Sequence, residues 1–278
     1  MSYLKVPSRS NPTAFVFLVD QSGSMSEQLG DGSGRTKAQF VADAVNSQLM
    51  ELVLRCTQGN NVRNYFHVAV IGYGKEVGPI LGGQLSGRDL LPIEEIANNP
   101  LRIEDFKQVF DNGEEETTST PVWLDPQFGG ATPMCRALDY AAALLQQHVT
   151  AHPDCFPPTI INITDGQSTD GDPSQRATDI RSLSTSDGQV LFYNVHVSST
   201  AGELVVFPDT ADELPDVYAR LLFSMSSLLP HVGLVRAGEL GFAVSDASRG
   251  FMYNADPTAL MHMLDIGTST RHAATETV

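Results

Sequence analysis

A short run of apolar residues near the N-terminus constrains the fold of this chain more than any other stretch. Residues Ala14–Val19 are all apolar and rich in β-branched and aromatic side chains, and the run is too short to span a membrane. Such a run predicts a strand buried on both faces, as in the middle of a parallel sheet. It ends at Asp20, and the loop after a central strand of an open α/β sheet is where ligands bind.

Two hydroxyl side chains follow Asp20 at alternating positions, Ser22 and Ser24. A carboxylate and two hydroxyls form a set of hard oxygen donors that suits Mg²⁺ or a similar cation. Asp and Ser are also common N-cap residues at the start of a helix. On this stretch alone, a metal site and a capped helix remain equally open.

Length and charge narrow the class of protein. The 278 residues suffice for one large α/β domain or two small ones, and the absence of an internal repeat or a low-complexity linker favours one. The formal net charge of −16, with no basic cluster, argues against nucleic-acid binding. The sequence shows no membrane span, no apolar signal-peptide core and no paired cysteine spacing, so we expect a cytoplasmic protein that does not contact a membrane.

Hydrophobic periodicity predicts strands and helices that alternate along most of the chain, which indicates a parallel sheet with helices on both faces. We expect a flexible segment 1–12, one domain over 13–267 with an irregular stretch 78–120 and an insertion-like segment 201–234, and a flexible tail 268–278. The further predicted strands are Tyr65–Tyr73, Thr159–Thr164, Val190–Val197 and Gly250–Asn254. The predicted helices are Lys37–Arg55, Ile93–Ala97, Ile103–Val109, Pro133–His148, Ala177–Leu183, Asp216–Leu229, Glu239–Ser248 and Pro257–Leu264.

Oxygen-bearing side chains lie on three separate loops of this predicted sheet. Thr132 lies in Gly-Gly-Ala-Thr-Pro before a helix, and Asp165 directly follows the strand Thr159–Thr164. A parallel sheet brings such loops to one edge. The sequence therefore predicts one cation ligated by Ser22, Ser24 and Thr132, with Asp20 and Asp165 binding it directly or through water and one coordination position left open.

Other candidate metal ligands receive a structural interpretation. His67 lies inside a predicted strand and is interpreted as a hydrogen-bonded core or edge residue. His148 and His152 have a zinc-like spacing, but Pro153 and the end of the helix intervene and no third ligand is near in sequence, so both are expected on the surface. The acidic run Asp111–Glu116 lacks the alternating spacing of a calcium loop and is interpreted as a solvated loop.

Three motifs together carry a resemblance to a known family. The pattern D-x-S-x-S at 20–24, the Thr inside G-G-A-T-P and a strand that ends in T-D-G resemble the von Willebrand factor A (vWA) domain, over about residues 13–267. In that family the three motifs form the metal-ion-dependent adhesion site (MIDAS), and the five matching positions are Asp20, Ser22, Ser24, Thr132 and Asp165.

The resemblance implies an α/β fold, a three-layer αβα arrangement with a Rossmann-like, mostly parallel six-stranded sheet. It also implies a bound Mg²⁺, with Mn²⁺ or Ca²⁺ as alternatives, that accepts an Asp or Glu carboxylate from a partner protein. Cytoplasmic, single-domain members of the bacterial type suggest a regulatory, stress or defence system, with an AAA+ ATPase, a kinase or a phosphatase as partner.

Two other functions are weighed beside the binding module. A Mg²⁺-dependent hydrolase would use Ser24 or Cys135 as nucleophile, but the sequence has no P-loop, no G-x-S-x-G motif and no histidine close to either residue, so we expect no enzyme. A vWA scaffold with a vestigial metal site would bind through another surface, for which the apolar segment Asp216–Pro230 is the candidate. A core-facing helix explains that segment equally well.

Overall fold

A computed structural model describes residues 3–30, 32–109, 115–198 and 203–268 as a sheet flanked by helices. The strands are β1 (Thr13–Asp20), β2 (Thr57–Gln58), β3 (Asn61–Val62), β4 (Phe66–Tyr73), β5 (Val77–Pro79), β6 (Leu91–Pro92), β7 (Arg102–Val109), β8 (Glu115–Val122), β9 (Thr159–Thr164), β10 (Ser184–Thr185), β11 (Gly188–Gln189), β12 (Leu191–His196), β13 (Val205–Val206) and β14 (Phe251–Tyr253). The helices are α1 (Lys37–Cys56), α2 (Ile93–Asn98), α3 (Met134–Ala151), α4 (Ser174–Ser182), α5 (Val217–Met225), α6 (His231–Glu239) and α7 (Pro257–Gly267).

The main sheet has the order β13-β14-β12-β9-β1-β4-β5, and β6 also pairs with β4. The strands from β14 to β4 run parallel, and the short strands β5, β6 and β13 are antiparallel to their neighbours. This confirms the mostly parallel α/β class. The sheet has eight strands instead of six, because three antiparallel strands of two or three residues are too short to give a periodic sequence signal.

Strand β1 lies in the centre of the sheet and is buried along its whole length. Alternate side chains point to opposite faces. Phe15, Phe17 and Val19 pack with α1, α2 and α7, whereas Ala14, Val16 and Leu18 pack with α3, α4 and α5. The chain therefore places one helix layer on each face.

The two strands that precede the predicted ligands are neighbours. Val19 of β1 pairs with Ile163 of β9, and Asp20 lies opposite Tyr73 of β4 on the other side. Since β1 and β9 run parallel, the loops that follow them leave from the same edge of the sheet. The loops of the two aspartates thus lie at one edge of the sheet, as the sequence predicts.

Two predicted helices are wrong. Ile103–Val109 lies in β7, which forms an antiparallel hairpin with β8 away from the main sheet. The pairing partner is the next strand along the chain and is rich in threonine, and the backbone pairing in this hairpin overrides the helical spacing of the apolar residues. The helix predicted over Glu239–Ser248 is also wrong. The helix there, α6, ends at Glu239, and Gly241 follows with a φ of +87°, which is typical of a residue just after a helix.

The segment before β1 is bonded to the rest of the domain. Residues 3–12 contain no helix or strand, but the backbone N–H groups of Leu4 and Lys5 donate to the Asp187 carboxylate at 2.9 Å each. The tail 269–278 and most of the acidic run, residues 111–114, lie outside the described residues. None of the described helices combines the length and the apolarity that crossing a bilayer requires.

Candidate metal centre

Strand β1 carries Asp20 to the edge of the sheet and holds both of its carboxylate oxygens. Asp20 is 1% exposed. Its Oδ1 accepts a hydrogen bond from the backbone N–H of Ser22 at 2.8 Å, and its Oδ2 accepts one from Thr164 Oγ1 at 2.7 Å. The orientation of this carboxylate is therefore fixed from both sides, by its own loop and by the end of β9.

Three of the predicted ligands are in direct contact. The Oγ atoms of Ser22 and Ser24 lie 3.0 Å apart, and Ser24 Oγ donates to Asp165 Oδ1 at 2.8 Å. Neighbouring ligand oxygens in an octahedron with metal–oxygen distances of about 2.1 Å lie about 3 Å apart. The spacing of these three oxygens therefore matches that of neighbouring ligands around Mg²⁺.

Thr132 lies on a second loop that is bonded to the first through the backbone. Gly23 N donates to Gly130 O at 3.1 Å. Thr132 is buried and is fixed by Thr169, whose Oγ1 accepts from Thr132 N at 3.0 Å and whose N donates to Thr132 O at 2.9 Å. This loop therefore brings the threonine to the edge of the sheet that carries the other four residues.

Gly130 shows why the second loop needs glycine. Its φ is +88°, which disfavours any residue with a side chain, and a Cβ built there would lie 2.6 Å from the backbone N of Lys75. The backbones of the two segments pack too closely for a methyl group. The sequence Gly-Gly-Ala-Thr-Pro is therefore matched to the close approach that places Thr132.

Burial shifts the acid–base behaviour of the centre. Loss of water raises the pKa of Asp20 to about 6, and the nearby charge of Asp165 adds to the rise, although hydrogen bonds from Ser22 and Thr164 oppose it. A buried carboxylate that resists ionisation has much to gain from an adjacent cation. This is a second observation with which the donor set fits a divalent ion.

Lys37 is a charged component of the site that the sequence analysis missed. It is the first residue of α1, and only 4% of its side chain is exposed. Its Nζ lies 2.5 Å from Asp165 Oδ2 and 3.0 Å from Glu27 Oε2. The sequence signal for this residue is a lysine on the buried face of a helix that begins soon after the loop of Ser22 and Ser24.

A groove adjoins the centre on the side of β4. The cavity is about 930 Å³ in volume, and its lining includes Gln21 and Gly129, which flank the ligand loops, together with Lys75 and Phe128. Phe128 is 54% exposed. The groove therefore offers an ammonium group and an aromatic side chain beside the predicted ion.

The two candidate nucleophiles lack the surroundings of activated nucleophiles. Burial raises the pKa of Cys135, and the neighbouring Asp170 adds to this rise, so the thiol form is favoured. Ser24 Oγ donates to a carboxylate, not to an imidazole. His196 at the end of β12 is near Asp165, but burial lowers its pKa and its ring stacks on Tyr253 at 4.5 Å.

The segment Asp216–Pro230, the candidate for an alternative binding surface, has a buried and an exposed face. Leu222, Phe223 and Met225 of α5 are buried against the sheet, as the core-facing interpretation predicts. Val217, Tyr218 and Leu228 of the same segment are exposed.

The histidine interpretation requires a correction. His148 is 3% exposed and so is not a surface residue. His67 of β4 lies against both His148 and His152, with ring centroids 5.4 and 5.6 Å away. The third histidine, His67, is thus supplied by another element, more than 80 residues earlier in the chain.

Comparisons with known proteins identify similar structures but no sequence family. No family model matches the chain, and no curated protein matches it. Among solved structures, a von Willebrand factor type A protein from Catenulispora acidiphila is 16% identical with a TM-score of 0.45, over 91% of this chain and 41% of that one. The pilus adhesin SpaC from Lactobacillus rhamnosus GG is 14% identical with a TM-score of 0.45, over 94% of this chain and 31% of that one.

A third neighbour is a pilin. The PilB minor pilin from Streptococcus sanguinis is 12% identical with a TM-score of 0.44, over 92% of this chain and 60% of that one. This chain thus spans less than two thirds of each of these three structures.

Proposed function

We propose that this protein is a vWA-type protein-interaction module with a MIDAS that binds a carboxylate of a partner protein. The observation that carries the proposal is the contact chain Ser22–Ser24–Asp165, with oxygen–oxygen distances of 3.0 and 2.8 Å, at the sheet edge where Asp20 is held. The proposed metal ligands are Asp20, Ser22, Ser24, Thr132 and Asp165. Mg²⁺ is the proposed ion, with Mn²⁺ or Ca²⁺ as substitutes.

Bound there, Mg²⁺ would supply a Lewis-acidic position for one carboxylate oxygen of the partner. The chain's own residues leave such a position attractive to an anion, because three of the five donors are uncharged hydroxyls. Asp20 and Asp165 balance a dication, and the ammonium of Lys37 offsets part of the charge of Asp165. The variants Ser22→Asp and Ser24→Asp would bind the metal more tightly and attract the partner's carboxylate less.

The adjoining groove suggests which partner segment fits. Lys75 and Phe128 line it next to Gly129. A segment with an Asp or Glu for the metal, a second acidic side chain for Lys75 and an apolar side chain for Phe128 would complement this surface. A regulatory AAA+ ATPase, kinase or phosphatase as the partner, and a cytoplasmic location, are further parts of the proposal. We also propose that the protein has no enzymatic activity.

The experiment compares partner capture by the wild type and by Ser24→Ala, with Mg²⁺ or with EDTA, followed by a dissociation constant for each captured partner. We expect capture in Mg²⁺, its loss in EDTA, and at least a tenfold weaker Kd for Ser24→Ala. Ser26→Ala is the matched control, since this exposed hydroxyl lies in the same turn but bonds to Gly23 O at 2.7 Å. Binding of equal strength in EDTA would refute the proposal.

A further inference from the structure

A cluster of three histidines lies at the edge of the sheet opposite the candidate metal centre. His67 is the second residue of β4, His148 lies in the last turn of α3, and His152 follows that helix directly. Each histidine contributes one ring nitrogen, and these three nitrogens all lie within 4.8 Å of one another. The ring centroids are 4.8 to 5.6 Å apart.

The surroundings of the cluster favour ligation over ion pairing. Within residues 3–30, 32–109, 115–198 and 203–268, none of the three histidines forms a salt bridge with a carboxylate. Imidazole binds a metal in its neutral form, which an ion pair with a carboxylate would disfavour.

The position of His148 suits a ligand with an outer contact. Its Nε2 lies 3.1 Å from the carbonyl oxygen of Pro12. A carbonyl only accepts, so this nitrogen donates the hydrogen bond and the other ring nitrogen keeps its lone pair. Histidines that bind metals commonly donate in this way to a backbone carbonyl, which fixes the ring.

We propose that His67, His148 and His152 form a second metal site, for Zn²⁺ or a similar transition-metal ion. Three imidazole nitrogen ligands suit zinc, cobalt, nickel or copper better than Mg²⁺ or Ca²⁺, which prefer oxygen. Tetrahedral zinc with nitrogens at about 2.0–2.1 Å needs ligand atoms about 3.4 Å apart, so modest side-chain rotations close the site. His67 and His152 are half-buried, which gives an ion access from solvent.

The site would join elements that are distant in sequence. A single ion would tie the start of β4 to the C-terminal end of α3, whose N-terminal end begins two residues after Thr132. In the register of the sheet, Ala14 lies beside His67 and Asp20 lies six residues further along β1. At about 3.3 Å per residue, the two metal sites are about 20 Å apart, and each can be tested without the other.

The test is a titration of tag-free protein with Co²⁺ in excess Mg²⁺, followed by visible absorption, with Zn²⁺ added afterwards as competitor. We expect one equivalent of Co²⁺ with a saturable d–d absorption band, displaced by Zn²⁺ and unaffected by Mg²⁺. His67→Gln and His152→Gln should each weaken Co²⁺ binding at least tenfold. These two residues are half-buried, so their replacement disturbs packing less than that of His148.

Two control variants separate the proposal from its alternatives. His231→Gln removes an exposed histidine of α6 and should leave the titration unchanged. Asp20→Asn should also leave it unchanged, because it alters the other edge of the sheet. Absence of a saturable band, equal Co²⁺ affinity in His152→Gln, or loss of the band in Asp20→Asn would overturn the proposal.

Discussion

Replacing Asp20 with asparagine should stabilise the metal-free protein. The side chain is 1% exposed, and burial raises its pKa from 3.8 to about 6. Asparagine has nearly the same shape, and its Oδ1 can still accept from Ser22 N. Its amide can donate to Thr164 Oγ1, whose proton can turn to Gly166 O, 3.3 Å away. The variant thus keeps the hydrogen bonds and removes a charge that is costly to bury.

The size and the pH window of the effect follow from the shift in pKa. Between pH 3.8 and about 6, the folded state retains a proton on Asp20 that the unfolded chain has lost, so stability falls as pH rises through this window. A shift of about two units costs about 3 kcal/mol once the carboxyl is fully ionised. Asp20→Asn should recover about 3 kcal/mol at pH 7.5 and almost nothing at pH 4, which corresponds to about 6–10 °C in Tm at the higher pH.

Urea denaturation in EDTA at several pH values between 4 and 7.5 measures this effect. The single tryptophan, Trp123, is 1% exposed and provides the fluorescence signal. Asp246→Asn is the control, because this exposed aspartate should change stability little at any pH. Saturating Mg²⁺ should stabilise the wild type and leave Asp20→Asn unchanged. A variant less stable than the wild type in EDTA at pH 7.5, or a gain equal at all pH values, would refute the reasoning.

Three further predictions concern single side chains around the centre and in the core. Lys37→Met should lower the Tm of the metal-free protein, since buried Asp165 loses its ion pair. In calorimetry the variant should bind Mg²⁺ about tenfold more tightly, because a competing cation is gone. Weaker Mg²⁺ binding would contradict this. Gly130→Ala should weaken Mg²⁺ binding at least tenfold, whereas Gly32→Ala, with a φ of +76° but open space around it, should not; equal effects would count against the close approach of the loops. Asn162→Ala should cost about 3 kcal/mol in urea denaturation, because buried Tyr73 Oη and Asn194 Oδ1 lose their partner; a cost below about 1 kcal/mol would be inconsistent with this.

The parts of the fold that could be predicted are those in which local pattern and burial agree. Ala14–Val19 is apolar throughout and Thr159–Thr164 is rich in isoleucine. Every residue of both segments is buried, because both faces of these neighbouring strands carry helices. Parallel strands bring their ends to one edge, so the approach of Ser24 to Asp165 followed from topology before any coordinate was known.

The parts that could not be predicted depend on contacts between elements, which the periodicity within one segment does not determine. Ile103–Val109 has helical spacing, yet its backbone pairs with a strand that begins at Glu115. Lys37 reads as the first residue of an amphipathic helix, and only the folded chain places its ammonium beside Asp165. His67 joins His148 in the same way, through a strand and a helix that the sequence separates. The periodicity of a segment carries no information on contacts between different elements.

The central claim is that five side chains of this protein hold one divalent cation. Crystals grown with Mn²⁺ in place of Mg²⁺, measured at the manganese absorption edge, test it most directly. We expect an anomalous peak within about 2.5 Å of Ser22 Oγ, Ser24 Oγ and Thr132 Oγ1, and no such peak in crystals of Asp20→Asn. A well-ordered structure with no peak at this edge of the sheet, or with these hydroxyls turned away from the peak, would contradict it.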